Sequence, residues 1–431
     1  MNGPDAETRE LARQAERLAR RGDMPAATAA YRALLARVPE HAGALAFLSA
    51  EAFARGAFAD AERFARAACN AAPEDAILAQ NLGLVLGRLG RLEAAREALS
   101  HALELQPDFA TAQLHYAALL EQSGDTGPAL EAYARAFRLD PGLERLAEDP
   151  AASPVVRGPV RRALAARRRA HRAMHQDIVA SVAAAKGRDG LDRIAAFLRI
   201  FHGEEQPDYA HPLQKPDWQY FPGLPPRAFF EREEFDWIDR LEAGWRPIRD
   251  ELVAVLAADA GVEPYVPGLD RPPELWRGLA GSLDWSAFQL LKGGRPVPAN
   301  VARCPGTMAV IEGLELANAP PHTPEAFFSI LKPGTHIPPH YGLSNFKLAV
   351  HLALMIPDSC GIRVGGETRY WQEGRCLVFD DSFEHEAWNR SNTLRAVLIV
   401  EAWNPALTGI ERAAIGRIIA ASERFNAQWA A

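Results

Sequence analysis

Three histidines and one arginine in the last third of the sequence have side chains that could bind a metal ion and an anion. His340 follows the stretch THIPP and precedes a turn at Gly342, and His351 lies inside the strand-like stretch FKLAVHLAL. His385 lies in SFEHEAWN, and Arg395 begins the apolar stretch RAVLIVEAW. Imidazoles bind transition metals, and a guanidinium binds a carboxylate through two parallel hydrogen bonds. This segment could therefore hold a metal ion that is chelated by a dicarboxylate.

The residues between His385 and Arg395 contain a turn signal, Asn-Arg-Ser-Asn at 389–392. If this turn joins a hairpin centred near residue 390, His385 and Arg395 face each other on paired strands. Opposed Cβ atoms in such a pair are about 4.5 to 5.5 Å apart. The sequence therefore predicts a guanidinium close to a metal on His385. Any single histidine here could instead be a hydrogen-bonded core residue, and it is the combination that favours a metal site.

The elements that must position these residues are predicted to be short strands. After about residue 283, apolar runs are split by turn residues, as in FFSILKPG, FKLAVHLALMIP, RYWQEGRCLVFD and TLRAVLIVEAW. Runs of this length and spacing indicate a β-sandwich or a β-barrel. Before them, Asp236–Leu256 is predicted to be one amphipathic helix.

The first third of the chain repeats itself with a period of 34 residues. Three residue types keep one register through four units, and these are Gly22, Gly56, Gly90 and Gly124; Ala27, Ala61, Ala95 and Ala129; and Pro39, Pro73, Pro107 and Pro141. This period resembles the tetratricopeptide repeat, in which a glycine ends the first helix, a small residue allows close packing and a proline ends the second helix. Such units stack into a superhelix. We expect a docking surface for a peptide or protein; a spacer or self-association module is the alternative.

The composition excludes several other classes of protein. A formal net charge of −7 gives no reason to expect nucleic acid as a partner. The arginine-rich run from Arg157 to Arg172 could be a nucleic-acid or membrane patch, but one solvated face of a connecting helix is favoured. No apolar run approaches the roughly 20 residues that span a bilayer, and MNGPDAETRE lacks the apolar core of a signal peptide. The four cysteines fit no zinc motif. A cytoplasmic location is expected.

Several long motifs together resemble the aspartyl/asparaginyl β-hydroxylase family: SILKPGTHIPPHYG, HLAL, GGETRYWQEGRCLVFDDSFEHEAWN and RAVLIVEAWNP. The resemblance extends from about Tyr220 to about Leu407 and is closest from Ser329 onward. It implies a double-stranded β-helix, or jelly-roll, fold that uses Fe(II), 2-oxoglutarate and dioxygen. Known members also carry repeats before the catalytic domain. The expected domains are a tetratricopeptide-repeat domain over 1–145, a connecting helical segment over 146–202 and an oxygenase jelly roll over 203–431.

The resemblance also implies roles for individual residues. By motif position, His340 and His385 match the two iron ligands of the family. Arg395 matches the arginine that binds the distal carboxylate of 2-oxoglutarate, and Ser329 matches a serine that assists it. His351 matches the histidine that contacts the other carboxylate of the cosubstrate.

The position two residues after the first iron ligand is Gly342, where many related oxygenases have a carboxylate ligand. The hydroxylase family lacks this acid too, so the glycine agrees with the resemblance and leaves an open position for water. Alternatively, Asp380, Asp381 or Glu384 supplies a carboxylate. Oxygenases that halogenate also have a small residue here, but nothing else in the sequence resembles them.

The implied reaction is hydroxylation of an unactivated carbon, coupled to conversion of 2-oxoglutarate into succinate and carbon dioxide. The substrate could be the β-carbon of Asp or Asn in a peptide or protein docked by the repeats. Lys347 keeps a basic position of the family and is expected to be a functional cation at the cofactor site, with a solvated lysine as the alternative. Ala349 stands where an arginine would be expected, so a small-molecule or lipid substrate stays open, as does a catalytically inactive repeat scaffold.

Overall fold

The fold is that of a computed structural model, which describes residues 4–187, 191–258 and 261–430. The chain divides into two compact units, Met1–His171 with Phe425–Ala431, and Arg172–Arg424. The sequence-based domain boundaries stay a prediction. None of the described helices is both long enough and apolar enough to cross a membrane.

The first unit begins with eight helices arranged as four successive helix pairs. They are α1 (Pro4–Arg20), α2 (Met24–Arg37), α3 (Ala42–Ala54), α4 (Phe58–Ala71), α5 (Ala76–Arg88), α6 (Leu92–Leu105), α7 (Ala110–Gln122) and α8 (Thr126–Leu139). The four periodic glycines follow the first helix of each pair and have φ between 73° and 89°, which a residue without a Cβ adopts at no steric cost. The four periodic alanines are buried in the second helices. The predicted tetratricopeptide array is therefore confirmed.

The remaining helices follow the repeats or flank the β-strands. They are α9 (Pro154–Lys186), α10 (Leu191–Phe201), α11 (Ile238–Ala243), α12 (Trp245–Ala257), α13 (Pro298–Val301), α14 (Pro305–Ile311) and α15 (Gly409–Ala427), with 3₁₀ helices at Pro141–Ala147, Arg232–Glu234 and Glu274–Trp276. The arginine-rich run lies on α9, as the sequence predicted. Within it, Arg169 pairs with Glu121 and Arg167 with Glu144. The run thus has carboxylate partners on the protein itself.

The second unit is built on two antiparallel sheets. Their strands are β1 (Phe229–Phe230), β2 (Glu263–Pro264), β3 (Trp285–Lys292), β4 (Arg295–Pro296), β5 (Ala326–Leu331), β6 (His336–His340), β7 (Lys347–Met355), β8 (Cys360–Val364), β9 (Glu367–Arg369), β10 (Cys376–Phe379), β11 (His385–Asn389) and β12 (Arg395–Trp403). One sheet has the order β1-β10-β7-β12-β5-β3-β2, with β4 paired to β3. The other has the order β6-β11-β8-β9.

The two sheets face each other across a buried core. Side chains from both contribute to it, including Ala353 and Val397 from the larger sheet and Ile362 and Ala387 from the smaller one. The opposite face of the larger sheet packs against α11 and α12, so β7 and β12 are buried on both faces. The predicted fold class, a helical-repeat superhelix followed by a jelly-roll domain with flanking helices, is confirmed.

The prediction of one helix over Asp236–Leu256 is wrong. The segment forms α11 and α12, which are separated at Gly244. A Cβ on Gly244 would lie 2.9 Å from the Val310 side chain. Because a side chain would crowd this contact, the glycine that interrupts the helix also lets α14 approach closely.

Candidate active site

His340 and His385 face each other at the edge of the smaller sheet. His340 ends β6 and His385 begins β11, and the two residues are directly paired in the register of these strands. Their ring centroids are 4.0 Å apart. Two imidazoles this close can share one metal ion.

The backbone fixes the tautomer of both rings. His340 Nδ1 lies 2.8 Å from the carbonyl oxygen of Pro338, and His385 Nδ1 lies 2.9 Å from that of Phe383. A carbonyl only accepts, so each Nδ1 carries the proton and donates it, which leaves the Nε2 lone pair for a metal. Burial lowers the pKa of His385 to about 4, and burial with the neighbouring His385 lowers that of His340 to about 3. Both imidazoles are therefore neutral at pH 7.

Arg395 is a buried cation at the start of β12. This residue is 1% exposed, and its Nη1 makes two long contacts, each 3.5 Å, to the backbone and side-chain oxygens of Ser329. Within the described part of the chain, its Nε has no hydrogen-bond partner and no carboxylate pairs with its guanidinium. Burial lowers the pKa of Arg395 to about 10, which still leaves it charged at pH 7. A buried charge of this kind requires an anion.

Ser329 and His351 lie on the same inner face of the larger sheet as Arg395. Ser329 pairs with Val397, and His351 pairs with Ile399. The Nδ1 atom of His351 is buried and has no hydrogen-bond partner among the residues that the structure describes. Burial, and next the charge of Arg395, lower the pKa of His351 well below its usual value, so the ring is neutral. The serine hydroxyl and this imidazole offer polar atoms beside the guanidinium.

A closed circuit of neighbouring side chains connects these groups, and we call it the site ring. Between ring centroids, the distances are 4.0 Å for His340–His385, 5.6 Å for His385–Phe379, 4.9 Å for Phe379–His351, 6.0 Å for His351–Trp371 and 6.2 Å for Trp285–His340. The Arg395 Cζ lies 4.7 Å from the centroid of Trp371. Hydrogen bonds complete the ring, from Arg395 Nη1 to Ser329 Oγ at 3.5 Å and from Trp285 Nε1 to Ser329 Oγ at 3.2 Å. The structure thus brings all five predicted residues of the metal and carboxylate sites to one place between the sheets. It also adds three aromatic rings.

The predicted hairpin between His385 and Arg395 is wrong. Strand β11 pairs with β6 and β8, whereas β12 pairs with β5 and β7. The turn is real, because Asn389 accepts hydrogen bonds from the backbone and hydroxyl of Ser391 and donates to Leu331 and Thr393 carbonyls. It carries the chain from one sheet to the other. His385 and Arg395 therefore approach across the interior of the sandwich instead of along a ladder.

A carboxylate fills the space beside Gly342. A Cβ on this glycine would lie 2.3 Å from both Cγ and Oδ2 of Asp381. Asp380 faces elsewhere and hydrogen-bonds to Ser382 and Gln214, while Glu384 contacts Tyr341. Nevertheless, no group of three or more His, Cys, Asp or Glu side chains among the described residues is arranged to hold a metal ion. The geometry offers two imidazoles, with Asp381 next to them.

Lys347 lies in a buried ion-pair network. The sequence predicted a functional cation at the cofactor site, with a solvated lysine as the alternative. Lys347 is 4% exposed, and its Nζ is 2.6 Å from Glu401 Oε1 and 3.3 Å from Asp381 Oδ2. The alternative prediction, a solvated lysine, is therefore wrong. Two carboxylates already balance its charge, so the contacts give no support to its predicted place at the cofactor.

Sequence reasoning missed the aromatic walls of the site. The Trp276 ring lies 5.1 Å from His340, and Tyr265 stacks on Trp285 at 4.0 Å. Trp371 carries the Arg395 guanidinium on its face. Tryptophan is common in cores, so spacing alone gave no signal. The only sequence signal in this segment is its aromatic residues, Tyr265, Trp276 and Trp285.

The donor set fits a divalent transition metal bound with a dicarboxylate. Two neutral imidazoles with fixed tautomers are suitable ligands for iron. Arg395 needs an anion, and the Nδ1 atom of His351 needs a hydrogen-bond partner. These unsatisfied atoms lie on the same ring as the two possible ligands.

Comparisons with known proteins match both parts of the chain. Residues 242–405 match the family model described as aspartyl/asparaginyl beta-hydroxylase, and residues 78–109 match that of the tetratricopeptide repeat. Aspartate beta-hydroxylase domain-containing protein 2 of Xenopus tropicalis is 32% identical over 48% of this chain and 55% of its own length. Human aspartyl/asparaginyl beta-hydroxylase is 36% identical over 42% of this chain and 23% of its own.

A bacterial relative is similarly close. The ornithine lipid ester-linked acyl 2-hydroxylase of Rhizobium tropici is 34% identical over 42% of this chain and 62% of its own length. The chain thus spans between about a quarter and three fifths of these relatives.

Proposed function

Because the chain joins an aspartyl/asparaginyl β-hydroxylase family domain to tetratricopeptide repeats, as the sequence predicted, we propose that it is an Fe(II)- and 2-oxoglutarate-dependent hydroxylase. The observation that carries the proposal is the site ring, in which two neutral imidazoles and an uncompensated buried guanidinium occur together. A dicarboxylate that chelates a metal at one end and carries a free carboxylate at the other satisfies both.

The polar residues of the site ring bind the metal and the cosubstrate in this proposal. His340 and His385 hold the iron through Nε2. Arg395 and Ser329 orient the distal carboxylate of 2-oxoglutarate, and His351 donates to the carboxylate nearer the metal. When bound with 2-oxoglutarate, Fe(II) supplies the activation of dioxygen that hydroxylates an unactivated carbon. The protein supplies position, fixed tautomers and a dry cavity.

The aromatic residues exclude water from the reacting groups. Trp285 and Phe379 are buried next to the two imidazoles. Trp371 covers one face of the Arg395 guanidinium at 4.7 Å. In such a low-dielectric site the pairing of a guanidinium with a carboxylate is stronger than in water.

The sequence leaves Asp or Asn side chains, small molecules and lipids as possible substrates, and we compare two of these classes. One is an Asp or Asn side chain of a peptide or protein. The other is an acyl lipid, which the name of the Rhizobium relative gives as its substrate. Three exposed apolar residues near the site favour the second class: Tyr265 stacks on Trp285, Leu275 adjoins Trp276, and Leu343 follows Gly342. Lys347, paired with two carboxylates, is not free to bind a substrate carboxylate.

The repeat array offers a separate surface for a protein partner. A groove of about 610 Å³ is lined by side chains of α3, α5 and α7 and by the start of α9. Its apolar lining includes Phe53, Leu84 and Val155. Arg88 and Arg162 also line it, and the lining carboxylate of Glu121 is already paired with Arg169. We propose that this groove docks a partner segment that carries acidic and apolar side chains.

The experiment that tests the proposed function measures turnover without assuming a substrate. Purified protein is supplied with Fe(II), 2-oxoglutarate and oxygen, and succinate is measured. A panel of Asp/Asn peptides, amino acids and acyl lipids is then searched for a mass increase of one oxygen atom. Iron-dependent succinate that His385→Ala abolishes supports the proposal. Succinate formation by His385→Ala at the wild-type rate contradicts the ligand assignment, and no turnover with any substrate favours an inactive scaffold.

A further inference from the structure

Three charged side chains form a buried ion-pair network at one end of the inner face of the larger sheet. Glu401 Oε1 accepts from Lys347 Nζ at 2.6 Å, and Lys347 Nζ reaches Asp381 Oδ2 at 3.3 Å. The other oxygen of Glu401 accepts from the backbone N–H of Glu325 at 2.8 Å. The side chain of Lys347 is 6% exposed, that of Glu401 is 9% exposed and that of Asp381 is 17% exposed. The lysine is thus held from two sides in a place with little water.

One carboxylate oxygen of this charged network accepts no hydrogen bond. Asp381 Oδ1 is buried and has no hydrogen-bond partner among the described residues. It occupies the space that a side chain at position 342 would need, since a Cβ there would lie 2.7 Å from it. The backbone N–H of Gly342 also donates to the carbonyl oxygen of Asp381. The Asp381 carboxylate also raises the pKa of His340 against the larger, opposite effect of burial, so Asp381 lies near this imidazole.

The unpaired, buried oxygen of Asp381 destabilises the folded protein unless a ligand binds it. A buried carboxylate oxygen without a hydrogen-bond donor loses its hydration and gains nothing in return, which destabilises the folded protein. Without a cation beside it, the Asp381 carboxylate would rotate towards water. Lys347 prevents this because the carboxylates of Asp381 and Glu401 raise its pKa above the usual value despite burial.

We propose that Lys347, anchored by Glu401, is a positioning residue that holds Asp381 Oδ1 beside the two imidazoles as the anionic hydrogen-bond acceptor of the metal site. This inference rests on the proposed function, because it assigns these residues to a metal held by His340 and His385. It replaces the expectation that Lys347 binds the cosubstrate. Lys347 acts only through Asp381 and touches neither the metal nor 2-oxoglutarate.

Three roles for Lys347 give different results when it is replaced by methionine. A positioning residue is needed to keep Asp381 in place, so Lys347→Met weakens divalent metal binding. A direct Coulombic effect has the opposite sign, because removing a nearby positive charge favours binding of a cation. A residue that binds 2-oxoglutarate leaves metal affinity unchanged and raises the KM for 2-oxoglutarate.

The test is a double-mutant cycle on metal affinity. Co(II) is titrated into the metal-free full chain without 2-oxoglutarate, and the dissociation constant is measured by visible absorption. The four proteins are wild type, Lys347→Met, Asp381→Asn and the double variant. We expect Lys347→Met to weaken Co(II) binding about 10-fold, as is typical when a partner outside the ligand set is lost. In the Asp381→Asn background the same change should have no further effect.

Matched variants keep the result interpretable. Lys332→Met removes an exposed lysine that lies 3.8 Å from Asp284 and should leave Co(II) affinity unchanged. Glu401→Gln removes the anchor with little change of shape, so it remains informative if Lys347→Met does not fold. It should weaken Co(II) binding by a smaller factor and, like Lys347→Met, have no effect when Asp381 is already Asn.

The outcomes distinguish failure of the proposed function from failure of the positioning role of Lys347. If the wild type does not bind Co(II), the proposed function fails. If the wild type binds Co(II) but Lys347→Met and Glu401→Gln bind it equally well, or more tightly, only the positioning role is overturned. Full additivity of Lys347→Met and Asp381→Asn also overturns it.

Discussion

The imidazole rings of His340 and His385 lie with their centroids 4.0 Å apart, and each donates Nδ1–H to a carbonyl two residues earlier in the chain. The same local contact thus recurs on two strands that pair directly. Because both hydrogen bonds are made by the backbone, the two free Nε2 atoms are oriented before any ligand arrives.

Arg395→Met is expected to remove tight 2-oxoglutarate binding without destabilising the ligand-free protein. The guanidinium is buried without a carboxylate, so an apolar side chain of similar length removes an uncompensated charge. We expect the KM for 2-oxoglutarate to rise at least 10-fold and the Tm of the ligand-free protein to stay the same or increase. Steady-state kinetics and thermal unfolding measure both. An unchanged KM would remove Arg395 from the cosubstrate site.

Gly342→Asp is expected to fail as a way of adding a third carboxylate ligand. Its Cβ would overlap Asp381, which already fills this space. The single variant should lose metal affinity and stability, whereas Gly342→Asp combined with Asp381→Gly should recover both, because only one carboxylate then occupies the site. Co(II) titration and thermal unfolding compare the two. Better metal binding by the single variant than by the double variant would contradict the packing described here.

Stability of the metal-free protein should fall as the pH decreases from about 6.5 towards 4. The folded pKa values of His340 and His385 are lowered to about 3 and about 4, so the unfolded chain binds these protons first. Between pH 6.5 and pH 5 each histidine should cost about 2 kcal/mol. Urea unfolding followed by tryptophan fluorescence measures this. The double variant His340→Gln/His385→Gln should lose less stability over the same range, and an equal loss would refute the assigned pKa shifts.

Leu275→Ser is expected to separate the two substrate classes. Leu275 is 45% exposed next to Trp276, whose ring lies 5.1 Å from His340. If the substrate is an acyl chain, the KM for it should rise several-fold while succinate formation without substrate is unchanged. Leu139→Ser, at an exposed leucine of the repeat unit, is the matched control. Equal KM values for the wild type and Leu275→Ser would argue for a substrate that does not contact this wall.

Local patterns predicted the repeat array and the members of the site. The 34-residue register of glycine, alanine and proline reports helix ends and close packing, which are local properties. The family motifs gave His340, His385 and Arg395, and the structure places all three on the site ring. Their roles as ligands stay a prediction until binding is measured.

Long-range pairing could not be derived from the sequence. The turn after Asn389 was recognised, but a turn signal does not tell whether the next strand pairs with the previous one or crosses to another sheet. Likewise, Lys347 looked like a free cation because its partners, Glu401 and Asp381, are 54 and 34 residues away. The break at Gly244 depends on Val310 in α14 and was equally invisible. In each case the deciding contact is distant in sequence.

The most direct test of the central claim is calorimetric titration of 2-oxoglutarate into the oxygen-free protein, with and without Mn(II). Because the cosubstrate must chelate a metal at His340 and His385 while its distal carboxylate reaches Arg395, we predict one 2-oxoglutarate per chain and strong dependence of its affinity on Mn(II). The same affinity with and without Mn(II), or no binding in either case, would contradict the claim that the two histidines and the arginine form one site.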